Sequence, residues 1–581
     1  MAKYTQQIWR NNRFITWRPN AWDFVALLLL VLILTLLAWG SAEMSAPYKL
    51  GQALPISLSV QHLPMYALRS VLRLFIAMIF SLLVTFIFGT LAAKNKHAER
   101  VIIPLIDILQ SVPVLGFLSI TVAGFIALFP GSLLGPECAA IFVIFTAQVW
   151  NMILGFYQSL KTLPKDLRSA ADMLQLSSWQ RFWQVEVPFA MPSLIWNSML
   201  SMSASWFFVV ASEAISVNNQ TILLPGIGSY IAVAIEHADK MAIFYAILAM
   251  LIVILLYDQL FFRPLIYWGE RFKYDLTDEH KQASSWLVNL LNRTRLLTLI
   301  ADIWGRYFHV LVSFRIGQPR RIDQQPVTIS RRWQLAALSF WYLVVFGICA
   351  LAAITLLHFI FHQVSVREAL HVLLLGIYTA LRVIVLIIIS SLVWVPVGVW
   401  IGLHPKIRRY AQPIVQILAA FPANLIFPVI VFFIVRFHLN VEIWVTPLML
   451  LGAQWYILFN VIAGAASIPK NLHYATKNFG VKQWLWWRRF ILPGIFPFYI
   501  TGAITAAGGA WNASIVAEVV SWGHTTLIAH GLGAYIAEYT TKGDFPRIAL
   551  GIVVMCVYVL VFNRLLWQPL YNIAQKRYNI S

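Results

Sequence analysis

Four charged residues interrupt apolar runs at matched places in the chain: Arg73 and Arg382, then Glu213 and Glu518. A charge inside a bilayer-spanning run is costly, and it persists where it serves a pathway or finds an opposite charge. The spacing predicts one Arg–Glu pair in each half of the chain. A free guanidinium there could meet an anion, with the carboxylate tuning it; equally, each pair could only hold spans together. Trp206 and Trp511 each stand seven residues before the glutamate and share its helix face. That face either lines a cavity or packs its indoles into a core. Pro113 and Pro422 fall inside apolar runs, with Asn424 just past the second. Proline removes a backbone donor, so each marks a kink or a broken helix. The N-terminal end of a broken helix favours anions. The two segments differ, VPVLGF against FPANLIFP, so a site there need not be symmetric.

The elements that carry these residues follow from composition. Of 581 residues, 60% are hydrophobic and 11% charged, against about 25% charged in a soluble domain. Apolar runs long enough to cross a hydrocarbon core of roughly 30 Å recur along the chain. They predict an all-α polytopic membrane protein of about twelve spans. The first six lie near 22–43, 66–93, 102–127, 137–159, 192–216 and 241–262, and the second six near 333–361, 372–402, 412–435, 441–467, 494–520 and 546–568. The net charge of +20 sits in short loops between runs. That is the pattern of cytoplasmic loops in a membrane protein rather than of a nucleic-acid surface. With both termini inside, most Lys and Arg residues face the cytoplasm, twelve of them in 263–332. About twenty polar and basic residues precede the first run, which reads as a retained span rather than a cleaved signal. Cys138, Cys349 and Cys556 lack metal spacing and read as small buried hydrophobes.

The chain repeats itself. At an offset of 305, Trp150 aligns with Trp455, Trp206 with Trp511, Glu213 with Glu518, and Gly226, Gly228 and Tyr230 with Gly531, Gly533 and Tyr535. Nearer the start of each half the offset is 309, pairing Arg73 with Arg382 and Pro113 with Pro422. Six spans per half keep both halves in one orientation, so the repeats are parallel and enclose a central pathway. The expected domains are a first half over 1–263, a linker over 264–332 and a second half over 333–581. An apolar stretch near 285–314, interrupted by charges, suits a helix on the inner membrane surface, with Leu290, Leu297 and Trp304 dipping into lipid. A helix packed on the protein is the alternative. The two GxG pairs suit a tight re-entrant turn or a rim for a partner, outside the membrane before each sixth span.

Between the fourth and fifth spans of each half lies a loop of one pattern, LPKDLRSAADMLQLSSWQRFWQVEVPFAMPS and IPKNLHYATKNFGVKQWLWWRRFILPGIFP. Each opens with proline, which suits a first helical turn, continues through a short Ala-bearing helix, and ends at Pro188 or Pro493. This resembles the EAA loop of binding-protein-dependent ABC importers. Ser169, Ala170 and Ala171 fall on the E-A-A positions of the first copy, and Tyr474, Ala475 and Thr476 on those of the second. Gly480 keeps the motif's glycine, while Gln175 replaces it, and the acidic residue is absent from both copies. From the central alanine to the proline is 18 positions in both. The segment QWYILFNVIAGAASIPKNL, with Trp511 to Glu518 and GLGAYIA, is similar to the nitrate, sulfonate, taurine and bicarbonate branch, and the fused form to its duplicated permeases.

The resemblance implies two type-I permease repeats covering roughly 66–262 and 372–568. It further implies two copies of a cytoplasmic ABC ATPase docked on the loops, an extracytoplasmic solute-binding protein and a bacterial inner-membrane location. No cofactor is expected in this chain, ATP and magnesium belonging to the partner ATPase. The chain has no GxxxxGK[ST] phosphate loop, so no enzyme activity of its own is expected. An ion-gradient-driven carrier is the second reading, since Glu213 and Glu518 could titrate; such a carrier has no need of two ATPase-docking loops.

Overall fold

A computed structural model describes residues 20–44, 46–47, 54–217, 220–270, 272, 287–288, 293–316, 331–523 and 525–577. The first half runs α1 (Ala21–Met44), α2 (Leu63–Lys94), α3 (Lys96–Ser111), α4 (Leu118–Leu128), α5 (Leu134–Lys161), α6 (Lys165–Met173), α7 (Ser178–Arg181) and α8 (Val187–Glu213). The hairpin β1 (Ala214–Val217) and β2 (Gln220–Leu223) follows, then α9 (Ile227–Glu236), α10 (Lys240–Tyr257) and α11 (Arg263–Glu270). A linker helix α12 (Arg295–Ser313) leads to α13 (Arg331–Phe361). The second half repeats the order: α14 (Val366–Leu403), α15 (Pro405–Ala420), α16 (Phe427–Arg436), α17 (Val441–Ser467), α18 (Lys470–Asn478), α19 (Gln483–Trp486) and α20 (Leu492–Ala517). The hairpin β3 (Val519–Trp522) and β4 (Thr525–Ile528) precedes α21 (Leu532–Lys542), α22 (Phe545–Phe562) and α23 (Gln568–Arg577).

Among the described residues nine helical stretches are long and apolar enough to cross a membrane, or ten if the bent pair α15–α16 counts as one. The expected third spans are therefore not continuous helices. Each breaks at its proline, which adopts nearly the same extended dihedrals in both halves (φ −67°, ψ 115° at Pro113; φ −68°, ψ 114° at Pro422). A short 3-10 turn follows, and α15 and α16 meet at 73°. The missing proline N–H cannot continue the helical ladder, and the ring crowds the carbonyl a turn earlier. Two short antiparallel hairpins accompany the helices. The cysteines are less buried than expected: Cys349 is exposed on α13, and Cys138 and Cys556 are half-buried.

Helix boundaries follow local chemistry that is itself repeated. The Asp239 side chain accepts from the backbone of Met241 and Ala242 to start α10, and Asp544, 305 positions on, accepts from Arg547 N–H to start α22. An N-cap acceptor satisfies a donor that the first turn leaves orphaned. In each half the second span packs on the fourth and the fourth on the fifth: α2 on α5 on α8, and α14 on α17 on α20. The broken third spans cross over. Val114, Leu115 and Leu118 pack in the core of the second half, while Ala420 and Leu425 pack in the core of the first. The most apolar part of α13 is almost wholly exposed within the chain, as a lipid-facing helix is.

Candidate functional site

Three helices of the first half converge on one guanidinium. Arg73 of α2 holds Glu137, at the start of α5, through Nε (2.6 Å) and Nη2 (2.7 Å), and holds Glu213, at the end of α8, through Nη1 (2.7 Å). Its Nη2 also donates to the Pro225 carbonyl. The Ser70 hydroxyl donates to Glu213 Oε1, and the Gly228 N–H to Oε2 at 2.6 Å. Arg73, Glu137 and Glu213 are all fully buried. Buried charges need such complete pairing to offset their lost hydration.

The second half rebuilds the cluster from repeat-related residues. Arg382 meets Glu518 at 2.9 Å, the His530 carbonyl at 2.8 Å, and Glu442. Thr379 takes the place of Ser70, donating to Glu518 Oε1 and accepting from the Leu532 N–H. Ala534 N–H donates to Glu518 Oε2 at 3.0 Å. The difference is access. Glu442 is 36% exposed and bonds to the exposed His530 ring, where the first half has Pro225 and a fully buried Glu137. The Arg and distal Glu residues stand out in the sequence as charges inside apolar runs, whereas Glu137 and Glu442 do not. Their 305 spacing was the available signal.

The GxG pairs explain how short helices α9 and α21 reach these carboxylates. A Cβ on Gly226 would lie 2.3 Å from Glu213 Oε2, and one on Gly228 would lie 2.2 Å from the Val210 carbonyl oxygen. Gly531 and Gly533 are equally tight against Glu518 and Ser514. Gly228→Ala is therefore expected to destabilise the protein by about 1–3 kcal/mol through overpacking. Gly124→Ala, where a Cβ meets nothing within 4 Å, should leave stability unchanged or raised. Thermal-unfolding midpoints of the two variants in detergent check the contrast.

The tryptophans lie in the core. Trp206 is fully buried, edge-on to Tyr257 at 5.8 Å, and Trp511 is nearly so, beside Tyr558 and Phe562. Asn424 is placed elsewhere, in the 3-10 turn after Pro422. Its Nδ2 donates to the Phe207 carbonyl of α8 at 3.2 Å, and its Oδ1 is buried without a hydrogen-bond partner. The counterpart contact joins Val114 N–H to Asn512 Oδ1 of α20 at 2.8 Å. Residues 207 and 512 are themselves 305 apart. The seam between the halves is thus two broken helices, each seated on the other half's fifth span.

At the opposite end of the fifth spans lie the Pro-bounded loops. Helices α6 and α18 each start after a proline and end two residues before a left-handed residue, Gln175 (φ 48°) and Gly480 (φ 64°). Glycine reaches this region without strain; Gln175 adopts it all the same. The residue just before is apolar and exposed in both: Leu174 (72%) and Phe479 (84%). Ser169, Ala170 and Tyr474 are also exposed, Ala475 and Thr476 half-buried, and Ala171 is packed inward. After α7 and α19, a five-residue π turn joins each loop without a gap to α8 or α20, the turn meeting Pro188 and Pro493 in the first positions of those helices.

The two loops differ in what covers them. The linker helix α12 docks on the first: Trp179 Nε1 donates to the Leu311 carbonyl, Gln180 Nε2 to the Ser313 carbonyl, and Trp183 meets Phe308 edge-on at 5.5 Å. The repeat mate of Trp179, Trp484, is 71% exposed. Helix α12 also touches α1, while Trp304 and Tyr307 remain outward at 71%. The linker helix is thus packed on the protein along one side, with apolar side chains outward on the other. Leu290 and the Leu297 side chain lie outside the described residues.

A doubled bundle in which each fifth span receives the broken helix of the other half, and is preceded by a short exposed helix, is the architecture of a polytopic transport permease. The description of the binding-protein-dependent transport system inner membrane component family matches residues 85–262 and again 394–568, and the chain belongs to that family. Among curated proteins it is similar to the nitrate import permease protein NrtB of Synechocystis sp. (28% identical over 125 residues, 22% of this chain and 42% of that one). It is also similar to the bicarbonate transport system permease protein CmpB of Synechococcus elongatus (25% over 127 residues, 22% and 43%) and the taurine transport system permease protein TauC of Escherichia coli (26% over 142 residues, 24% and 50%). The aligned stretch spans half or less of the length of each of these relatives.

Proposed function

We propose that this chain is the transmembrane permease subunit of an ATP-driven importer, carrying a small anion of the nitrate, bicarbonate or sulfonate kind along the seam between its halves. The observation that carries the reading is mechanical. Two repeat-related helices, α6 and α18, are each followed by an outward apolar residue, Leu174 or Phe479, and lead through α7 or α19 and a π turn into the fifth spans at the seam. A cytoplasmic ATPase subunit gripping each helix would move those spans as rigid levers when it closes on ATP. ATP and magnesium would be held by that partner.

The excess of Lys and Arg on the loop side supports placing the loops and both termini in the cytoplasm. The hairpins and helices α9 and α21 then face outward, where a solute-binding protein would dock. The anion reading rests on the named substrates of the relatives. In this reading the charge clusters clamp the outer ends of the spans, Trp206 and Trp511 fill the cores, and Asn424 and Asn512 line the seam. The ion-driven alternative has less support, because Glu213 and Glu518 are each committed to an arginine, a hydroxyl and a backbone N–H.

The test is uptake of labelled nitrate, bicarbonate and taurine into proteoliposomes holding the permease, its ATPase and the candidate binding protein. The proposal expects transport of one of these only with internal ATP. Uptake driven by a proton or sodium gradient without ATP would overturn it.

A further inference from the structure

The two halves differ sharply at the loop-side end of their second and fifth spans. In the second half a cavity of about 640 Å³ opens between α14, the start of α20 and α23. Its volume falls in the range of roughly 300–1,000 Å³ typical of small-ligand sites. Val395, Leu492, Phe496 and Leu570 are among its apolar lining, Ser391 and Tyr499 bond each other at 2.9 Å within it, and Arg488 is its one charged residue. The neighbouring surface is apolar and exposed, with Leu392 at 72% and Leu565 at 76%, so the cavity opens on the bilayer-facing side.

The first half has filled the equivalent place. Val395 corresponds to Phe86 and Arg488 to Trp183. These two rings pack edge-on at 5.9 Å, with Phe182 against Phe86 at the same distance. The charged residues differ as well. Glu186, held by Lys94 at 2.7 Å, stands where the second half has Ile491. Arg488 makes no ion pair among the described residues. All five carboxylates of 333–581 (Glu368, Glu442, Glu518, Glu538 and Asp544) lie at the other end of the bundle, while Arg489, Arg564, Lys576 and Arg577 share this end with Arg488.

We propose that this cavity is a binding site for one anionic glycerophospholipid of the surrounding bilayer, an acyl chain filling the apolar space and the phosphate resting on Arg488. A basic pocket between spans at the membrane surface is the setting in which an anionic headgroup is retained, and the apolar chain supplies the remaining affinity. The site belongs to the second half alone and sits at the base of the fifth span that carries the unshielded loop.

The experiment uses purified full-length permease, delipidated in detergent and then supplied with phosphatidylglycerol, phosphatidylcholine or inorganic phosphate. Phospholipid retained per permease is read by mass spectrometry, and the unfolding midpoint is read in parallel. Wild type is expected to retain phosphatidylglycerol over phosphatidylcholine and to gain thermal stability from it, with no gain from phosphate. Arg488→Gln, at an exposed position, should lower retention about fivefold, the worth of one basic residue near a charged membrane. Val395→Phe, which installs the first half's residue, should lower it similarly, and Arg564→Gln, outside the cavity, should not. Equal retention of both lipids by wild type, unchanged retention in Arg488→Gln, equal loss in Arg564→Gln, or equal stabilisation by phosphate would each overturn the proposal.

Discussion

Replacing Arg73 with Met is expected to remove most folded permease from the membrane. The side chain is fully buried and holds two fully buried carboxylates from different spans, Glu137 and Glu213. Without it, both acids face each other and an apolar surround. Breaking a buried pair by deleting one partner costs about 3–5 kcal/mol, and here two partners are stranded. That is a large share of the roughly 5–15 kcal/mol separating folded from unfolded states in small proteins. Arg382→Met should cost less. Glu442 is 36% exposed and remains bonded to His530, so water can reach one of the two acids left behind. Recovery of detergent-extracted, monodisperse protein and its unfolding midpoint should rank wild type first, Arg382→Met second and Arg73→Met last. Changing Glu137 and Glu213 to Gln alongside Arg73→Met should restore part of the loss. An Arg73→Met protein of normal stability that fails only in transport would instead assign the guanidinium to the pathway.

The second large effect lies at the other end of the same spans. Leu174→Asp with Phe479→Asp is expected to abolish ATPase attachment while leaving the permease folded. Both side chains are more than 70% exposed, so neither substitution empties a core. A central apolar anchor at an interface is worth about 2 kcal/mol or more, which is roughly thirtyfold in affinity for each loop. Loss at both loops multiplies, and the buried carboxylates would add a desolvation cost. Pull-down of the ATPase and ATP hydrolysis stimulated by the binding protein should both fall to background. The single variants also carry information, because α12 shields only the first loop. An undiminished complex in the double variant would show that these helices are not the grip.

Much of this architecture is legible in the sequence because it is doubled. A lone Pro-bounded segment is weak evidence, but Ala170 to Pro188 and Ala475 to Pro493 keep one spacing across 305 residues. The Arg and Glu positions stand out because charge is rare inside apolar runs. Glu137 and Glu442 escaped notice because each opens a span, where an acid reads as an interfacial residue. The hairpins escaped because four-residue strands are short for their period-2 signal. AISV and QTIL across Asn218 and Asn219 do carry the β-branched and turn residues that mark a hairpin. Pro113 and Pro422 left kink and break both open, since the outcome depends on what the freed backbone meets; here Asn512 accepts the Val114 N–H across the seam. The unequal exposure of Trp179 and Trp484 has no local signal at all. The residues are identical in the repeat, and only the docking of α12, more than a hundred residues away, separates them.

The most direct test of the mechanical claim is side-specific labelling of single cysteines. In a background with Cys138, Cys349 and Cys556 changed to Ala, Leu174→Cys and Phe479→Cys would be exposed to a membrane-impermeant maleimide in sealed vesicles of each orientation. Both positions are predicted to react only from the cytoplasmic side, and to be protected when the ATPase is bound. Reaction from the outer side, or equal reaction with and without the ATPase, would contradict the account.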